Sequence, residues 1–276
     1  MLKVNDTVVP IEHFPDGTLR LKLPDSLCPS DDEPVVIEWR FENNEEMAAL
    51  MFLTRQIQDK GYVVELNLPY IPNARQDRCE SEDDVFTLKY FAEFINNLCF
   101  ACVRVLDAHS PVSTALIDRV LHYTPAFNIE TVINNIAERE NIDTSNIIPC
   151  FPDVGALKRY NSMTLDTAAP VYGNKTRDWE TGKITGLQML GNVEGVSGSV
   201  VLIVDDICSY GGTFYYSAQE LKKLGASKIY LYVTHCENSI LNGKLFPENM
   251  VEMVYTTSSI FTAESDKVEV IDDVFF

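Results

Sequence analysis

Val200-Val201-Leu202-Ile203-Val204-Asp205-Asp206-Ile207-Cys208-Ser209-Tyr210-Gly211-Gly212-Thr213 is the stretch that decides the fold. Val200–Val204 is an apolar run of the kind found in a strand buried within a parallel sheet. It ends in Asp205 and Asp206, passes through a short turn with paired glycines, and opens a helix at about Thr213. In an open α/β sheet the carboxyl ends of the strands face the ligand. The two aspartates therefore stand where ribose hydroxyls or a metal would sit. The turn aims backbone N–H groups at an anion, and the helix N-terminus adds a partial positive charge. Glycine at 211 and 212 permits positive φ and the close approach of a phosphate that a Cβ would block. The combination describes a site for a phosphorylated sugar; the competing reading is an ordinary strand–turn–helix unit whose acids serve solubility.

At 276 residues the chain suits one large or two modest domains and has ample length to bury a core. Its 22 basic residues against 41 acidic ones leave a net charge of −19. Such a chain repels polyanions, which excludes nucleic acid and anionic membrane as partners. Small anionic substrates bind only where the sparse basic residues gather. No apolar run approaches the span of a bilayer, and the opening residues do not read as a signal peptide, so residence in the cytoplasm is expected. Seven cysteines, an odd count, fit reduced thiols. Cys99 and Cys102 form a Cys-x-x-Cys inside the apolar stretch Leu98–Val105 and read as buried small hydrophobes, whereas Cys208 lies in the glycine turn.

Working outward, two successive α/β blocks appear. The first places strands at Val35–Trp39, Val63–Leu68 and Val103–Leu106, with helices at Glu45–Lys60, Phe86–Leu98 and Ile129–Glu138. The second places strands at Asn146–Cys150, Ala168–Tyr172, Val200–Val204 and Ile229–Thr234, with a helix over Thr213–Leu224. Strands alternating with helices predict mainly parallel sheets flanked by helices, joined by right-handed crossovers. The polar stretch Asn141–Ser145 sets the expected boundary, giving domains 1–141 and 142–276. The tail Val268–Phe276 is apolar enough to pack onto the body.

Four further clusters carry chemistry. Arg75, Gln76, Asp77 and Arg78 follow a strand and suit a nucleoside polyphosphate: guanidinium forks for phosphate oxygens, amide and acid for base or ribose. A solvated charged loop is the plain alternative. His109, in Asp107-Ala108-His109, and Asp153, in Pro152-Asp153-Val154-Gly155, each offer a metal ligand at a strand end. Lys175 and Arg177 are two apart, so both face one side of extended backbone and form a clamp for a transferring phosphoryl group.

Phe14-Pro15-Asp16-Gly17, Ala74-Arg75-Gln76-Asp77-Arg78, Asp107-Ala108-His109, Pro152-Asp153-Val154-Gly155, Lys175-Thr176-Arg177, the Asp205–Thr213 loop and Tyr232-Val233-Thr234-His235 follow one another in that order. This order resembles that of the ribose-phosphate pyrophosphokinases, the phosphoribosyl pyrophosphate synthetases, over nearly the whole chain. The resemblance implies two phosphoribosyltransferase-like domains, the first binding ATP and the second the ribose phosphate. It implies transfer of the pyrophosphoryl group of ATP to the anomeric hydroxyl of ribose 5-phosphate, releasing AMP. Arg75, Gln76 and Asp77 would lie at the ATP, with Phe14 and Asp16 reaching the adenine of a neighbouring subunit's ATP. His109 and Asp153 would hold Mg²⁺; Lys175 and Arg177, on a flap, would stabilise the β-phosphoryl charge. Asp205 and Asp206 would hold ribose hydroxyls or a second metal, while Ser209, Tyr210, Gly211, Gly212 and Thr213 would cradle the 5-phosphate. A homodimer or homohexamer is implied as well.

The loop departs from the family pattern Asp-Asp-x-x-Asp-Thr-x-Gly-Thr. Ser209 replaces the third acid and Tyr210 the threonine, and the flap holds Thr176 and Trp179 where relatives are more basic. Those changes lie at the 5-phosphate end. They open the alternative of a larger acceptor, ADP-ribose, with Tyr210 lining a widened site or stacking on a base. A non-catalytic synthetase-associated subunit is a further alternative, against which stand the retained Lys175, Arg177, His109 and Asp153. A transferase that consumes the activated sugar is the last, and Arg75–Arg78 argues against it.

Overall fold

The computed structural model describes residues 1–24, 33–177 and 184–271, with backbone alone at 175–177 and 184–186. Two compact units divide between Thr124 and Pro125.

The first unit contains β1 (Leu2–Val4), β2 (Thr7–Val8), β3 (Glu12–His13), β4 (Leu19–Arg20), β5 (Val35–Trp39), α1 (Glu45–Asp59), β6 (Val64–Asn67), α2 (Thr87–Asn97), β7 (Val103–Leu106), α3 (Pro111–Leu116) and β8 (Val120–Tyr123). Its main sheet runs β2-β1-β5-β6-β7-β8. Strands β5 to β8 are mutually parallel, and β1 closes the β5 edge in antiparallel sense. Ala49, Leu50, Leu53 and Ile57 fall at helical spacing on α1 and are buried with Ile37, Trp39 and Leu66 of the sheet. The β3–β4 hairpin is a separate two-stranded sheet.

The second unit contains α4 (Ala126–Glu140), β9 (Ile147–Phe151), α5 (Val154–Tyr160), β10 (Val171–Arg177), β11 (Ile184–Gly191), β12 (Val200–Cys208), α6 (Gly212–Lys223), β13 (Lys228–Cys236), β14 (Val254–Thr257) and β15 (Val268–Ile271). The sheet order is β11-β10-β9-β12-β13-β14-β15, parallel from β10 onward with β11 antiparallel at the edge. Successive side chains of β12 point to opposite faces, which explains its unbroken apolar run. Val201 and Ile203 pack with Phe214, Ala218 and Leu221 of α6. Leu202 and Val204 pack with Ile129, Val132 and Ile136 of α4 and Tyr160 of α5. Each such aliphatic side chain contributes about 1.5–3 kcal/mol by burial.

The α/β class and the mainly parallel sheets are as the sequence predicts. The expected boundary at 141/142 lies one helix beyond the division between the compact units. Helix α4 buries its apolar stripe in the second unit's core, and so belongs there. The polar stretch is the end of α4, not a linker: Asn141 takes φ +52° as the left-handed C-cap, and its N–H is bonded to Ala137 O. Strand β12 also runs on past Asp205 and Asp206 to Cys208, held in register by β13. Cys99 is exposed at φ +57° and Cys102 half-buried, which corrects their reading as buried hydrophobes. Of the apolar tail, Val268–Ile271 adds the last strand, and 272–276 lie outside the described residues. Among the described residues no helix is long and apolar enough to cross a membrane.

Candidate active site

In the first unit two loops leave the carboxyl edge of neighbouring parallel strands. The loop after β6 carries Arg75, Gln76 and Asp77. Buried Ile71 and Ala74 anchor it, Asn73 turns it at φ +63°, and Gln76 Oε1 accepts a 2.8 Å hydrogen bond from Thr87 Oγ1 at the head of α2. Arg75 and Gln76 are left exposed and Asp77 half-buried. The loop after β7 turns at Asp107, a buried acid at φ +41°, and then presents His109, half-buried. Two bonds fix that turn: Leu106 N–H to Pro69 O at 3.1 Å and Ala108 N–H to His122 Nε2 at 3.0 Å. The structure thus brings Arg75–Asp77 and His109 to one sheet edge, the edge that binds ligands in open α/β sheets.

Phe14 and Asp16 occupy the tip of the β3–β4 hairpin. Phe14 N–H bonds to Thr18 O at 2.8 Å, and Gly17 takes φ +85°. Asp16 Oδ1 accepts from Thr18 Oγ1 (2.7 Å) and Thr18 N–H (3.0 Å), which holds its carboxyl below the ordinary value. Phe14 is half exposed, so the hairpin offers a ring and a carboxylate outward.

In the second unit Asp153 is the N-cap of α5: its Oδ1 accepts from Ala156 N–H at 3.0 Å. Asp205 and Asp206 lie near the end of β12, beyond the last residue that pairs with β9. Asp206 is buried and ion-paired with Arg159, whose Nη1 lies 2.7 Å from Oδ2. Asp205 Oδ1 accepts the Asp206 N–H at 3.0 Å. Burial, together with the adjacent Asp206 charge, pushes the Asp205 carboxyl well above the ordinary carboxylate range and favours its protonated form.

Beyond the acids the chain turns through Ser209–Gly212 into α6. Ser209 Oγ donates to Glu237 Oε2 at 2.5 Å, tying the loop to the end of β13. Gly211 caps α6 at φ +79° beneath Leu245, where a Cβ would come within 2.5 Å of Leu245 Cδ1. Gly212 opens into free space, Thr213 is exposed, and Tyr210 is 62 % exposed. A hydrogen bond with Cys236 and burial push the Cys208 thiol up, away from the thiolate form that a nucleophile needs.

Lys175 and Arg177 lie on β10, opposite Leu187 and Ile184 of β11. Only Val171 and Tyr172 of β10 pair with β9, so both cations sit on a two-stranded ribbon beyond the body of the sheet. Their side chains, and Trp179, lie outside the described residues. Two contributors escaped the sequence reading. Arg159 reaches the acidic pair from the far end of α5, and Glu237 steadies Ser209. The signal for the first was Asp206 itself, a buried acid that requires a partner.

Comparison with known proteins agrees with this geometry. The phosphoribosyl transferase domain family matches residues 159–260. The ribose-phosphate pyrophosphokinase of Listeria ivanovii is 26 % identical over 94 % of this chain and 80 % of its own. That of Thermococcus kodakarensis is 29 % identical over 82 % of this chain and 77 % of its own. Over most of its length this chain is similar to ribose-phosphate pyrophosphokinases. The fold agrees: the phosphoribosylpyrophosphate synthetase of Mycobacterium smegmatis superposes with a TM-score of 0.71 at 17 % identity, covering 96 % of this chain and 86 % of that one. The family model falls within the second unit, and the likeness to the synthetase shows a shared fold over most of the chain.

Proposed function

We propose that the chain is an ATP-dependent diphosphokinase that makes phosphoribosyl pyrophosphate and AMP from ATP and ribose 5-phosphate. The observation that supports this most is the charged loop Arg75–Asp77 at the same sheet edge as His109, in a chain whose second unit carries an acid pair late in β12 and a glycine turn after it. A phosphoribosyltransferase needs only the latter. In the reaction the anomeric O1 attacks the β-phosphorus. The new O1–P bond forms as the bond to the departing AMP oxygen breaks, and the O1 proton is lost. Such a transfer rests on positioning and charge neutralisation rather than on a covalent protein group.

In this reading Arg75, Gln76 and Asp77 bind ATP, and Phe14 and Asp16 contact the adenine of a neighbouring subunit's ATP within a homodimer or homohexamer. The Ser209–Thr213 loop and the α6 N-terminus hold the 5-phosphate, and Lys175 and Arg177 neutralise the β-phosphoryl group. By the resemblance His109 would offer Mg²⁺ a nitrogen and Asp153 a hard oxygen, and this ion takes waters and phosphate oxygens as its remaining ligands. Bound Mg²⁺ would screen triphosphate charge. We place the protein in the cytoplasm.

One observation favours a second reading. Tyr210 stands 62 % exposed in the loop that would hold the 5-phosphate, and Ser209 beside it is engaged by Glu237. An aromatic ring free to stack at the 5-phosphate end suits ADP-ribose, giving ADP-ribose pyrophosphate for NAD salvage. Incubation with ATP, Mg²⁺ and each acceptor, with AMP release and product mass as readouts, separates the two. Absence of AMP release with every acceptor would favour a non-catalytic subunit instead.

A further inference from the structure

Two adjacent aspartates at a strand end suit either a divalent cation or a sugar diol, and the two ligands ask for opposite charge states. Mg²⁺ needs anionic oxygens with open faces. A vicinal diol carries no charge and needs only hydrogen-bond acceptors and donors in fixed positions. The surroundings of Asp206 differ from those of an open carboxylate. Its side chain is 5 % exposed, and Arg159 Nη1 lies 2.7 Å from Oδ2. The guanidinium is fixed in turn by its place at the end of α5, 5.7 Å over the Tyr160 ring, which is itself buried in the core beneath β12. Asp205 spends Oδ1 on the Asp206 N–H. Among the described residues no three His, Cys, Asp or Glu side chains gather as a metal cage.

We propose that Arg159 is a specificity-determining positioning residue, which neutralises Asp206 and so makes the end of β12 a receptor for an uncharged diol instead of a second divalent cation. The inference deepens the function proposed above, since it rests on the acceptor's ribose lying at this strand end. A cation arriving at Asp206 would have to displace a guanidinium held on two sides. A diol carries no charge and has no need to displace it.

Mn²⁺ titration of the nucleotide-free protein, followed by electron paramagnetic resonance, tests this without relying on turnover. Wild type and Asp206→Asn are expected to bind the same number of Mn²⁺ ions. Arg159→Met is expected to gain one more, and the double variant Arg159→Met/Asp206→Asn to lose it again. Arg159→Lys, which preserves the charge with little loss of packing, is expected to gain none. In steady state Arg159→Met should raise the KM for ribose 5-phosphate about tenfold, as befits the loss of a buried charge partner, with the KM for ATP within about twofold of wild type. A wild-type Mn²⁺ site abolished by Asp206→Asn, or an Arg159→Met protein that binds no extra Mn²⁺ and keeps its acceptor KM, overturns the proposal. If wild type transfers to no acceptor, the function proposed above fails instead, and the Mn²⁺ counts still decide the role of Arg159.

Discussion

Gly173 passes so close to Pro152 that a Cβ built on it falls 2.4 Å from the Pro152 carbonyl oxygen. That contact seats the start of the β10–β11 ribbon, which bears Lys175 and Arg177, directly against the turn that bears Asp153. The first prediction follows from it. In Gly173→Ala a backbone oxygen has to give way, which costs about 1–3 kcal/mol as overpacking does elsewhere. Thermal unfolding should show that loss, and turnover should fall by a larger factor than stability explains. A variant with wild-type turnover would mean that the ribbon's seat is immaterial to chemistry.

Lys175→Ala is expected to fold like wild type, because its position lies where β10 pairs only with β11. Turnover should drop by about 10²–10³, the usual cost of removing a group that stabilises transition-state charge. Stopped assays of AMP release, alongside a circular dichroism melt, check both halves. Unchanged kcat removes Lys175 from the mechanism.

The paired glycines separate structure from binding. Gly211→Ala meets both a left-handed backbone at φ +79° and Leu245 Cδ1 at 2.5 Å, so it should lose about 1–2 kcal/mol of stability. Gly212→Ala places its Cβ in open space at the first residue of α6. It should fold as well as wild type yet raise the KM for the sugar phosphate, since the methyl enters the anion's approach. Melting temperatures and acceptor KM values measured side by side test the contrast, and equal effects on both variants would contradict it.

Asp205 gives stability a pH dependence of defined sign. Its carboxyl sits above its ordinary value in the folded protein, mainly through burial and secondly through the Asp206 charge. Above the unfolded pKa the folded state therefore binds more protons than the unfolded one. The Asp205 contribution to stability thus falls as pH rises through that window. Asp205→Asn removes the dependence, so its melting temperature should gain on wild type progressively from about pH 4 toward neutrality. Parallel curves for the two proteins across that range would refute the sign.

Strong periodicity made much of the architecture readable. Val35–Trp39 and Val103–Leu106 are strands with the bounds the sequence predicts, and Thr213–Leu224 differs from α6 by one residue at each end. Strands of two to four residues, such as β1 to β4, and half-exposed β8 carry too little pattern to announce themselves. The domain junction was hidden for a different reason. Thr124-Pro125 is a short connection without a change in composition, whereas Asn141–Ser145 imitates a linker because a left-handed helix cap and a polar turn demand the same residues. At the site, Asp205, Asp206 and the glycine turn were legible because backbone geometry dictates their residue types. Arg159 was not, because its role depends on a side chain crossing from α5 to β12.

Product analysis after incubation of the full chain with ATP, Mg²⁺ and ribose 5-phosphate or ADP-ribose is the most direct test of diphosphoryl transfer. Mass spectrometry should find AMP together with the acceptor enlarged by one diphosphate. Tyr210→Ala should lower turnover with ADP-ribose more than with ribose 5-phosphate if the ring stacks on a base. Failure to form AMP with either acceptor, or a requirement for a nucleobase in place of ATP, would contradict the assignment.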